Sequence, residues 1–253
     1  LQGDQLSRMT IRGFKSIKNC DISFGKINVL IGSNGAGKSN FISAFSFLQN
    51  ILSKNLQVSV GQSGLSSLLY KGRKATEEID FEVFFGQNSY GFALIPTDDN
   101  RLIFREEYFG YHGGWNNASP IGHGHSESHW ESAAHNGIDD YVATILRKQN
   151  WRVYHFHDTG KDARVKQEHN ISNNKMLLYD AANLAAFLYR LKNFFKPNYD
   201  EIVETIRLVA PYFDDFVLEP QEGNEEQIVL RWCQTGCEDV FNASQLSDGT
   251  LRF

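Results

Sequence analysis

VLIGSNGAGKS, residues 29–39, is the stretch of sequence that decides the fold. The run from Lys26 to Ile31 becomes continuously apolar, which is typical of a central strand covered on both faces. Apolar residues then recur at helical spacing, at Phe41, Phe45, Leu48 and Leu52. A strand, a loop of the form G-x-x-x-x-G-K-[ST] and a helix in this order predict a phosphate-binding loop, or P-loop, in an α/β fold.

The residue types in this loop are those that bind the phosphates of a nucleoside triphosphate. Glycines let the backbone turn its amides inward, and the start of the following helix adds unpaired N–H groups. Lys38 is predicted to contact the phosphates and Ser39 to bind Mg²⁺, so these two are the candidate catalytic residues. The alternative is a glycine-rich turn with an incidental lysine. The candidate ATP-binding residues of the loop are Ser33, Asn34, Gly35, Ala36, Gly37, Lys38, Ser39 and Asn40.

A second candidate anion site lies in SQLSDGTLRF, residues 244–253. Ser247 is a good N-cap for a helix that starts at Asp248 or Gly249, and a capped helix start with a hydroxyl attracts anions. The alternative interpretation is a plain serine-capped helix. Ser247, Asp248 and Gly249 are therefore candidate nucleotide-binding residues.

IRGFKS at residues 11–16, the P-loop and SQLSDGTLRF together resemble the RecF/SMC-type ATPases, which have ABC-type heads. They are more similar still to bacterial AAA-family ATPases of the anti-phage defence type. SQLSDGT resembles the ABC signature L-S-G-G-Q, with Asp248 and Thr250 as departures from it. The resemblance implies that Lys15 and Ser16, just after the first strand, touch the nucleotide.

The same resemblance implies how such a protein works. Two copies sandwich ATP, with the signature of one gripping the γ-phosphate in the P-loop of the other. Hydrolysis then releases them, and the output is a nuclease or DNA-processing partner, with DNA itself a further candidate partner. The implied cofactors are ATP and Mg²⁺. SMC proteins carry long coiled coils between these motifs, and because this sequence shows no sustained heptads a RecF-like or defence-type ATPase is favoured.

The pattern predicts two lobes. Lobe I, residues 1–158, is expected to have a mixed sheet with an antiparallel meander over 78–104 and a loop or insertion over 110–137. Lobe II, residues 159–253, is expected to be helical over 175–195 and 201–209, followed by strands at 216–218 and 227–232 and a hairpin turn at 234–236. It ends at the signature motif, before any Walker B strand, so residues 1–253 alone are expected to hydrolyse little ATP.

Two histidine-containing segments have alternative interpretations. The strand predicted at 151–156 leads to His157 and Asp158, where ABC heads place their Q-loop, so these residues are candidates for sensing the γ-phosphate or Mg²⁺. The same pattern equally suits a turn at Asp158. The second segment, residues 112–135, is a polar loop or a zinc site. The candidate zinc ligands in it are His123, His125, His129 and His135.

Composition favours a cytoplasmic protein without a membrane segment. Of 253 residues, 41% are hydrophobic, yet no run approaches the roughly 18 apolar residues of a membrane span. The N-terminus lacks a signal peptide pattern, and three cysteines argue against a disulfide framework. The net charge is −5, with positive charge concentrated in residues 1–50 and 151–196, which is interpreted as a DNA-binding face or as phosphate neutralisation.

Three functions are compatible with these sequence features. The leading hypothesis is an ATP-dependent switch that dimerises around nucleotide. The second is the nucleotide-binding subunit of a transporter, which would be associated with a membrane protein. The third is a P-loop kinase, which would need a lid and an acceptor site and would leave residues 246–250 unexplained.

Overall fold

The structure is a computed structural model that describes residues 5–113, 117–133, 138–148, 151–156 and 158–252. It divides the chain into two units, Leu1–Val153 and Tyr154–Phe253, each with its own hydrophobic core. This division comes slightly before the one predicted after residue 158, so Asp158 belongs to the second unit.

A six-stranded antiparallel sheet organises the first unit, in the order β2-β1-β3-β4-β5-β6. Along β1, Met9 and Ile11 are buried, while Arg8 and Arg12 are exposed on the other face. This alternation is the period of a half-buried strand, and it confirms the predicted α/β class with an antiparallel meander. The strands are β1 (Arg8–Phe14), β2 (Ile17–Ser23), β3 (Ile79–Phe85), β4 (Asn88–Pro96), β5 (Leu102–Tyr111) and β6 (Asn117–Gly122).

Helices cover the apolar face of this sheet. The predicted helix from Lys38 is present, and it buries Phe41, Leu48 and Ile51 against the sheet at the expected spacing. The helices of the first unit are α1 (Lys38–Leu52), α2 (Leu56–Ser63), α3 (Leu65–Leu68), α4 (Trp130–Ala133) and α5 (Ile138–Lys148).

The second unit packs a helical hairpin onto two small sheets, whose strand orders are β7-β10-β9 and β12-β11-β8. Among the described residues of the chain, no helix is both long and apolar enough to cross a lipid bilayer. Its helices are α6 (Leu184–Phe194), α7 (Lys196–Val209) and α8 (Asp248–Arg252), with 3₁₀ turns at Arg164–Lys166 and Ala243–Gln245. Its strands are β7 (His169–Asn170), β8 (Phe213–Val217), β9 (Pro220–Gln221), β10 (Asn224–Ile228), β11 (Arg231–Gln234) and β12 (Val240–Asn242).

The strand predicted at Lys26–Ile31 is wrong. Residues 26–33 form no strand, and Ile27, Val29 and Ile31 are 86%, 75% and 90% exposed. Asn28 instead exchanges hydrogen bonds with the backbone of Gly25, a local turn that competes with strand pairing. An apolar run predicts burial but cannot supply the neighbouring strand that a ladder requires. Among the described residues the sheet is therefore wholly antiparallel rather than mixed.

The loop predicted over 110–137 is also wrong in part, because β6 and α4 lie within it. β6 pairs with β5 from Tyr111↔Asn117 to Glu107↔Gly122 as the edge strand of the sheet. Its sequence, NASPIG, contains the glycine, serine, asparagine and proline that are typical of turns, but an edge strand tolerates proline because one of its sides has no ladder partner.

Three further elements differ from expectation. Residues 151–156 form no strand, and Trp151 packs on Phe45 and Phe85 instead. The helix predicted over 175–195 begins only at Leu184, because Asn183 binds the backbone of the preceding turn through its side chain. The predicted strand 227–232 is split, since β10 ends at Ile228 and β11 begins at Arg231 in another sheet.

Candidate functional site

The P-loop connects the exposed segment after β2 to the start of α1. Gly35 and Gly37 have φ of +83° and +93°, a region in which residues with a Cβ are strained. Gly37 occupies the N-cap position of α1, so the turn from loop to helix depends on its freedom. Lys38 and Ser39 then form the first turn of α1, with the side chain of Ser39 exposed.

The amino group of Lys38 folds back over its own loop. Its Nζ donates to the carbonyl oxygens of Gly32 and Ser33, at 2.6 and 2.8 Å. These are neutral acceptors in an exposed loop, and a phosphate oxygen is a stronger acceptor for an ammonium group. The lysine therefore has the reach and the charge to exchange these carbonyls for the oxygens of a bound triphosphate.

The turn between β1 and β2 lies directly against this loop. Asn40 Nδ2 donates to Ser16 Oγ at 2.7 Å, and a Cβ on Gly37 would come within 3.2 Å of the same oxygen. The structure thus brings Ser16, Gly37 and Asn40 together, although they are separated in sequence. Ser16 is exposed and adjacent to the P-loop, as the resemblance implies for a residue that touches nucleotide.

Lys15 occupies the same turn but has a different local role in the structure. Its Nζ donates to Ser43 Oγ at 2.9 Å and lies 5.4 Å from the centroid of the Phe14 ring. Burial lowers the pKa of the Lys15 amino group. Its φ of 49° is in the left-handed region, so the tight turn strains this residue. Lys15 therefore fastens the turn to the side of α1.

The residues of the P-loop fit a nucleotide bound with Mg²⁺. The loop is exposed, its glycines leave the backbone uncovered, and the hydroxyl of Ser39 is accessible. Ser39 would hold the metal ion, and the metal would neutralise charge on the phosphates. Lys38 and the loop amides would bind the same phosphates from the protein side.

The second candidate site, around Ser247, lies in the second unit. Ser247 caps α8, because its Oγ accepts a hydrogen bond from the backbone N–H of Thr250 at 3.1 Å. The Ser247 side chain is exposed, whereas Leu246 just before it is buried in the core. Asp248 and Gly249 form the first turn of α8, and Gly249 is exposed.

His157 and Asp158 are the residues predicted to sense the γ-phosphate or Mg²⁺. His157 lies outside the described residues. Asp158 is exposed, and its Oδ1 accepts a hydrogen bond from the N–H of Gly160 at 3.1 Å, as in the alternative interpretation of a turn.

The side chain of His125 and the backbone of His129 belong to a buried hydrogen-bonded group, here called the Glu107 cluster. Glu107 is 1% exposed, and its carboxylate accepts hydrogen bonds from the Tyr90 hydroxyl at 2.6 Å and from the Ser128 hydroxyl. His125 Nε2 lies 2.8 Å from its Oε2, and the backbone N–H of His129 donates to the same oxygen at 3.0 Å.

This cluster departs from the expected polar loop at His125, whose side chain is only 8% exposed, whereas His123 and His129 are exposed as expected. The His125 ring stacks between Phe104 and His129, with centroids 4.5 and 4.3 Å apart. Among the described residues, no group of three or more His, Cys, Asp or Glu side chains is arranged to hold a metal ion. His135 lies outside the described part of the chain. Sequence analysis did not identify Glu107 as the partner of His125, because Glu107 lies in β5, 18 positions earlier in the chain.

Tyr212 is the residue near a candidate site that sequence analysis missed. Its hydroxyl lies 3.0 Å from Thr250 Oγ1, which in turn lies 2.8 Å from Ser247 Oγ. A separation of 38 residues between Tyr212 and Thr250 leaves no local pattern that could reveal the contact.

No curated protein matches the chain. One similar solved structure is described as "Structural biochemistry of ATP-driven dimerization and DNA stimulated activation of SMC ATPases"; it shares 18% identity, covers 56% of this chain and 77% of that chain, and has a TM-score of 0.32. Another, an SMC head bound to the C-winged helix domain of ScpA, shares 17% identity, covers 98% and 74%, and has a TM-score of 0.49.

A protein-family match covers nearly the whole chain. Residues 27–253 match the family described as "AAA domain, putative AbiEii toxin, Type IV TA system". The match confirms the resemblance drawn from the P-loop and SQLSDGTLRF to AAA-family ATPases, and an ATPase family implies nucleotide binding. The chain belongs to this AAA-domain family.

Proposed function

We propose that this chain is the ATP-binding head of a molecular switch. ATP and Mg²⁺ bind at the P-loop through residues 33–40, with Ser16 beside them. A second copy of the chain then closes on the nucleotide through Ser247 and Gly249, and hydrolysis reopens the pair. Binding energy from the γ-phosphate thereby becomes a change in assembly, which is the requirement for a switch.

The observation that carries this proposal is the state of Lys38. Within the described part of the chain, the cation at the start of α1 is held by neutral carbonyls of its own exposed loop, at 2.6 and 2.8 Å. Gly35 and Gly37 have positive φ, and nothing lies within 4 Å of the place where a Cβ on Gly35 would be. A loop with such open backbone is suited to wrapping an anion.

The exposed hydroxyl of Ser247 supports the dimerisation step. It stands at the beginning of α8, directly after the buried Leu246, and its Oγ caps the helix. An exposed hydroxyl at this position is suited to contact a phosphate that another copy holds. This assignment follows the resemblance to the ABC signature, and it accounts for residues 246–250, which a P-loop kinase would leave without a role.

The proposed output is control of a nuclease or DNA-processing partner in bacterial defence. The family description names a toxin and a type IV toxin–antitoxin system, and this supports a role in defence. DNA is a further proposed partner. The test for DNA is the anisotropy of a labelled duplex measured with ATP at two salt concentrations, because phosphate contacts give an affinity that falls with salt.

Nucleotide binding and assembly can be tested on the same samples. The chain is titrated with fluorescent ATP in the presence of Mg²⁺, and its mass is measured by sedimentation velocity with ATPγS, with ADP and without nucleotide. We expect dimers with ATPγS only. Lys38→Ala should bind nucleotide roughly 10- to 100-fold more weakly and form fewer dimers at the same nucleotide concentration, because it removes the cation that contacts the phosphates.

Ser247→Glu separates the two halves of the proposal. It should bind nucleotide normally but remain monomeric, because a carboxylate would face the phosphate of the other copy. Ser244→Glu is the matched control, since it adds the same charge at an exposed position one 3₁₀ turn earlier. Dimers that form equally without nucleotide, or equal behaviour of the two serine variants, would contradict the proposal.

A further inference from the structure

Three hydroxyl groups form a chain that ends at Ser247. The Tyr212 hydroxyl lies 3.0 Å from Thr250 Oγ1, and Thr250 Oγ1 lies 2.8 Å from Ser247 Oγ. Ser247 Oγ also accepts a hydrogen bond from the backbone N–H of Thr250, at 3.1 Å. Thr250 occupies the position at which the ABC signature has glutamine. The three hydrogen-bonded hydroxyls therefore depend on a residue at which this sequence departs from the signature.

The core of the second unit fixes the tyrosine end of the chain. The ring of Tyr212 packs edge-on against Trp232, with centroids 5.9 Å apart, and Trp232 is buried. The carbonyl oxygen of Tyr212 accepts a hydrogen bond from the N–H of Thr235 at 3.0 Å, next to the start of β8. Its hydroxyl is therefore held in place by both ring packing and backbone pairing.

The donor in each of these contacts decides whether Ser247 has a proton to offer a ligand. A hydroxyl has one proton to donate and two lone pairs that accept. A phenol is a better donor and a weaker acceptor than an aliphatic hydroxyl, because its oxygen shares electrons with the ring. The two hydroxyl contacts allow more than one order of donation. In the order from Tyr212 to Thr250 to Ser247, Ser247 Oγ accepts two hydrogen bonds, both from Thr250, and keeps its own proton for an outward acceptor. In the order in which Ser247 donates to Thr250, that proton is used within the turn.

The surroundings of α8 leave the hydrogen-bonded hydroxyls a part in holding the turn at Ser247. The helix has only five residues, so it adds little dipole and the side-chain hydroxyl has to supply the donor. Beneath it lies an apolar cavity of about 200 Å³, bordered by Leu246, Thr250 and Leu251 among others. Because the space below α8 is not filled, packing alone does not fix the turn, and the hydroxyl chain contributes to holding it.

We propose that Tyr212 is a positioning residue, which acts through Thr250 to direct the Ser247 hydroxyl proton toward an anionic phosphate oxygen of a nucleotide held by a second copy. The inference rests on the proposed function, since it assigns a donor role to the same signature turn. Neither Tyr212 nor Thr250 has to touch the nucleotide for this role.

The test measures the dimer dissociation constant with ATPγS and, separately, the affinity of the monomer for fluorescent ATP. Tyr212→Phe removes one hydroxyl and keeps the ring, and we expect the dimer to weaken about 3- to 10-fold with monomer affinity unchanged, the size of one hydrogen bond. Thr250→Val should weaken it at least as much, whereas Thr250→Ser, which keeps the hydroxyl, should restore most of it. Tyr179→Phe, at an exposed tyrosine of the same unit, is the matched control.

Each outcome decides a different claim. If the wild-type chain forms no dimer with ATPγS, the proposed function fails and the role of Tyr212 fails with it. If the wild type dimerises and Tyr212→Phe dimerises equally well, only the positioning role is overturned. Equal losses in Thr250→Ser and Thr250→Val would also overturn it, since a packing role does not require the hydroxyl. Thermal melts of the four variants check that any weakening does not come from unfolding.

Discussion

The P-loop and the Glu107 cluster are two polar regions of the same unit with opposite designs. In the P-loop the backbone is exposed, and among the described residues Lys38 donates to two carbonyl oxygens of its own loop. In the Glu107 cluster the carboxylate is buried and meets donors from Tyr90, Ser128, His125 and the backbone of His129.

This difference distinguishes a polar group that stabilises the fold from one that is available to bind a ligand. A buried group whose hydrogen bonds are all satisfied inside the protein stabilises the fold and leaves nothing for a ligand. An exposed loop whose cation has only weak neutral partners contributes little to stability but can exchange those partners for a phosphate. Residue type alone does not distinguish the two regions, because both combine glycine or serine with charged or titratable side chains.

The largest effect is expected from Glu107→Ala. It leaves the donors of Tyr90, Ser128 and His125 buried without their acceptor, so the free energy of unfolding of the first unit should fall by about 3–5 kcal/mol. Urea unfolding followed by circular dichroism and tryptophan fluorescence measures it. Glu106→Ala is the control, because Glu106 is half-exposed and its ion pair with Arg105 is worth at most about 1 kcal/mol. Similar losses in both variants would mean that the cluster is not a stabilising element.

The contribution of the Tyr90 hydroxyl to the Glu107 cluster can be tested at alkaline pH. Burial, then the charge of Glu107 and the hydrogen bond to it, raise the pKa of Tyr90 well above its ordinary value. The folded protein therefore keeps this proton while the unfolded chain loses it near pH 10. Stability from this group is present below about pH 10 and is lost as pH rises above it, by up to about 1.4 kcal/mol per pH unit.

Tyr90→Phe should make that loss shallower. The free energy of unfolding, measured between pH 9 and pH 11, should decline less steeply in the variant than in the wild type. Between pH 7 and pH 8 the difference between the two proteins should be constant, which provides an internal control. Parallel curves over the whole range would show that Tyr90 ionises equally in the folded and unfolded states.

A smaller effect is expected from Gly37→Ala in the P-loop. Alanine is strained at φ +93°, and its Cβ would lie 3.2 Å from Ser16 Oγ, so stability should fall by about 1 kcal/mol and ATP affinity should fall with it. Gly61→Ala is the matched control within α2, where a Cβ meets nothing within 4 Å. That change should instead stabilise the protein by about 0.5–1 kcal/mol, because alanine favours a helix. A loss of the same size in both variants would argue against backbone strain as the cause.

The smallest effect on stability is expected from Lys38→Ala. Removing its two bonds to exposed carbonyls should change the free energy of unfolding by no more than about 0.5 kcal/mol. ATP affinity should nevertheless fall roughly 10- to 100-fold, as expected for a lost bond between charged groups. Lys74→Ala, at another lysine of the first unit, should change neither quantity. A large loss of stability in Lys38→Ala would place this residue in the structural class with Glu107.

The sequence by itself determined the P-loop, the helix after it, the antiparallel meander and the family. These features are local, because glycines at fixed spacing set a loop and apolar periodicity sets a strand or a helix within a few residues. The spacing of SQLSDGT likewise predicted a capped turn at Ser247, which the structure contains.

Only the tertiary structure decided which segments pair and which side chains are buried. The apolar run at Lys26–Ile31 has the pattern of a central strand, yet among the described residues no strand pairs with it. Glu107 with His125, Ser16 with Asn40, and Tyr212 with Thr250 are contacts between residues 18 to 38 positions apart. Their existence depends on how the strands and turns come together, because hydrogen-bond partners and burial are properties of the packed chain, whereas local pattern records only what each segment favours.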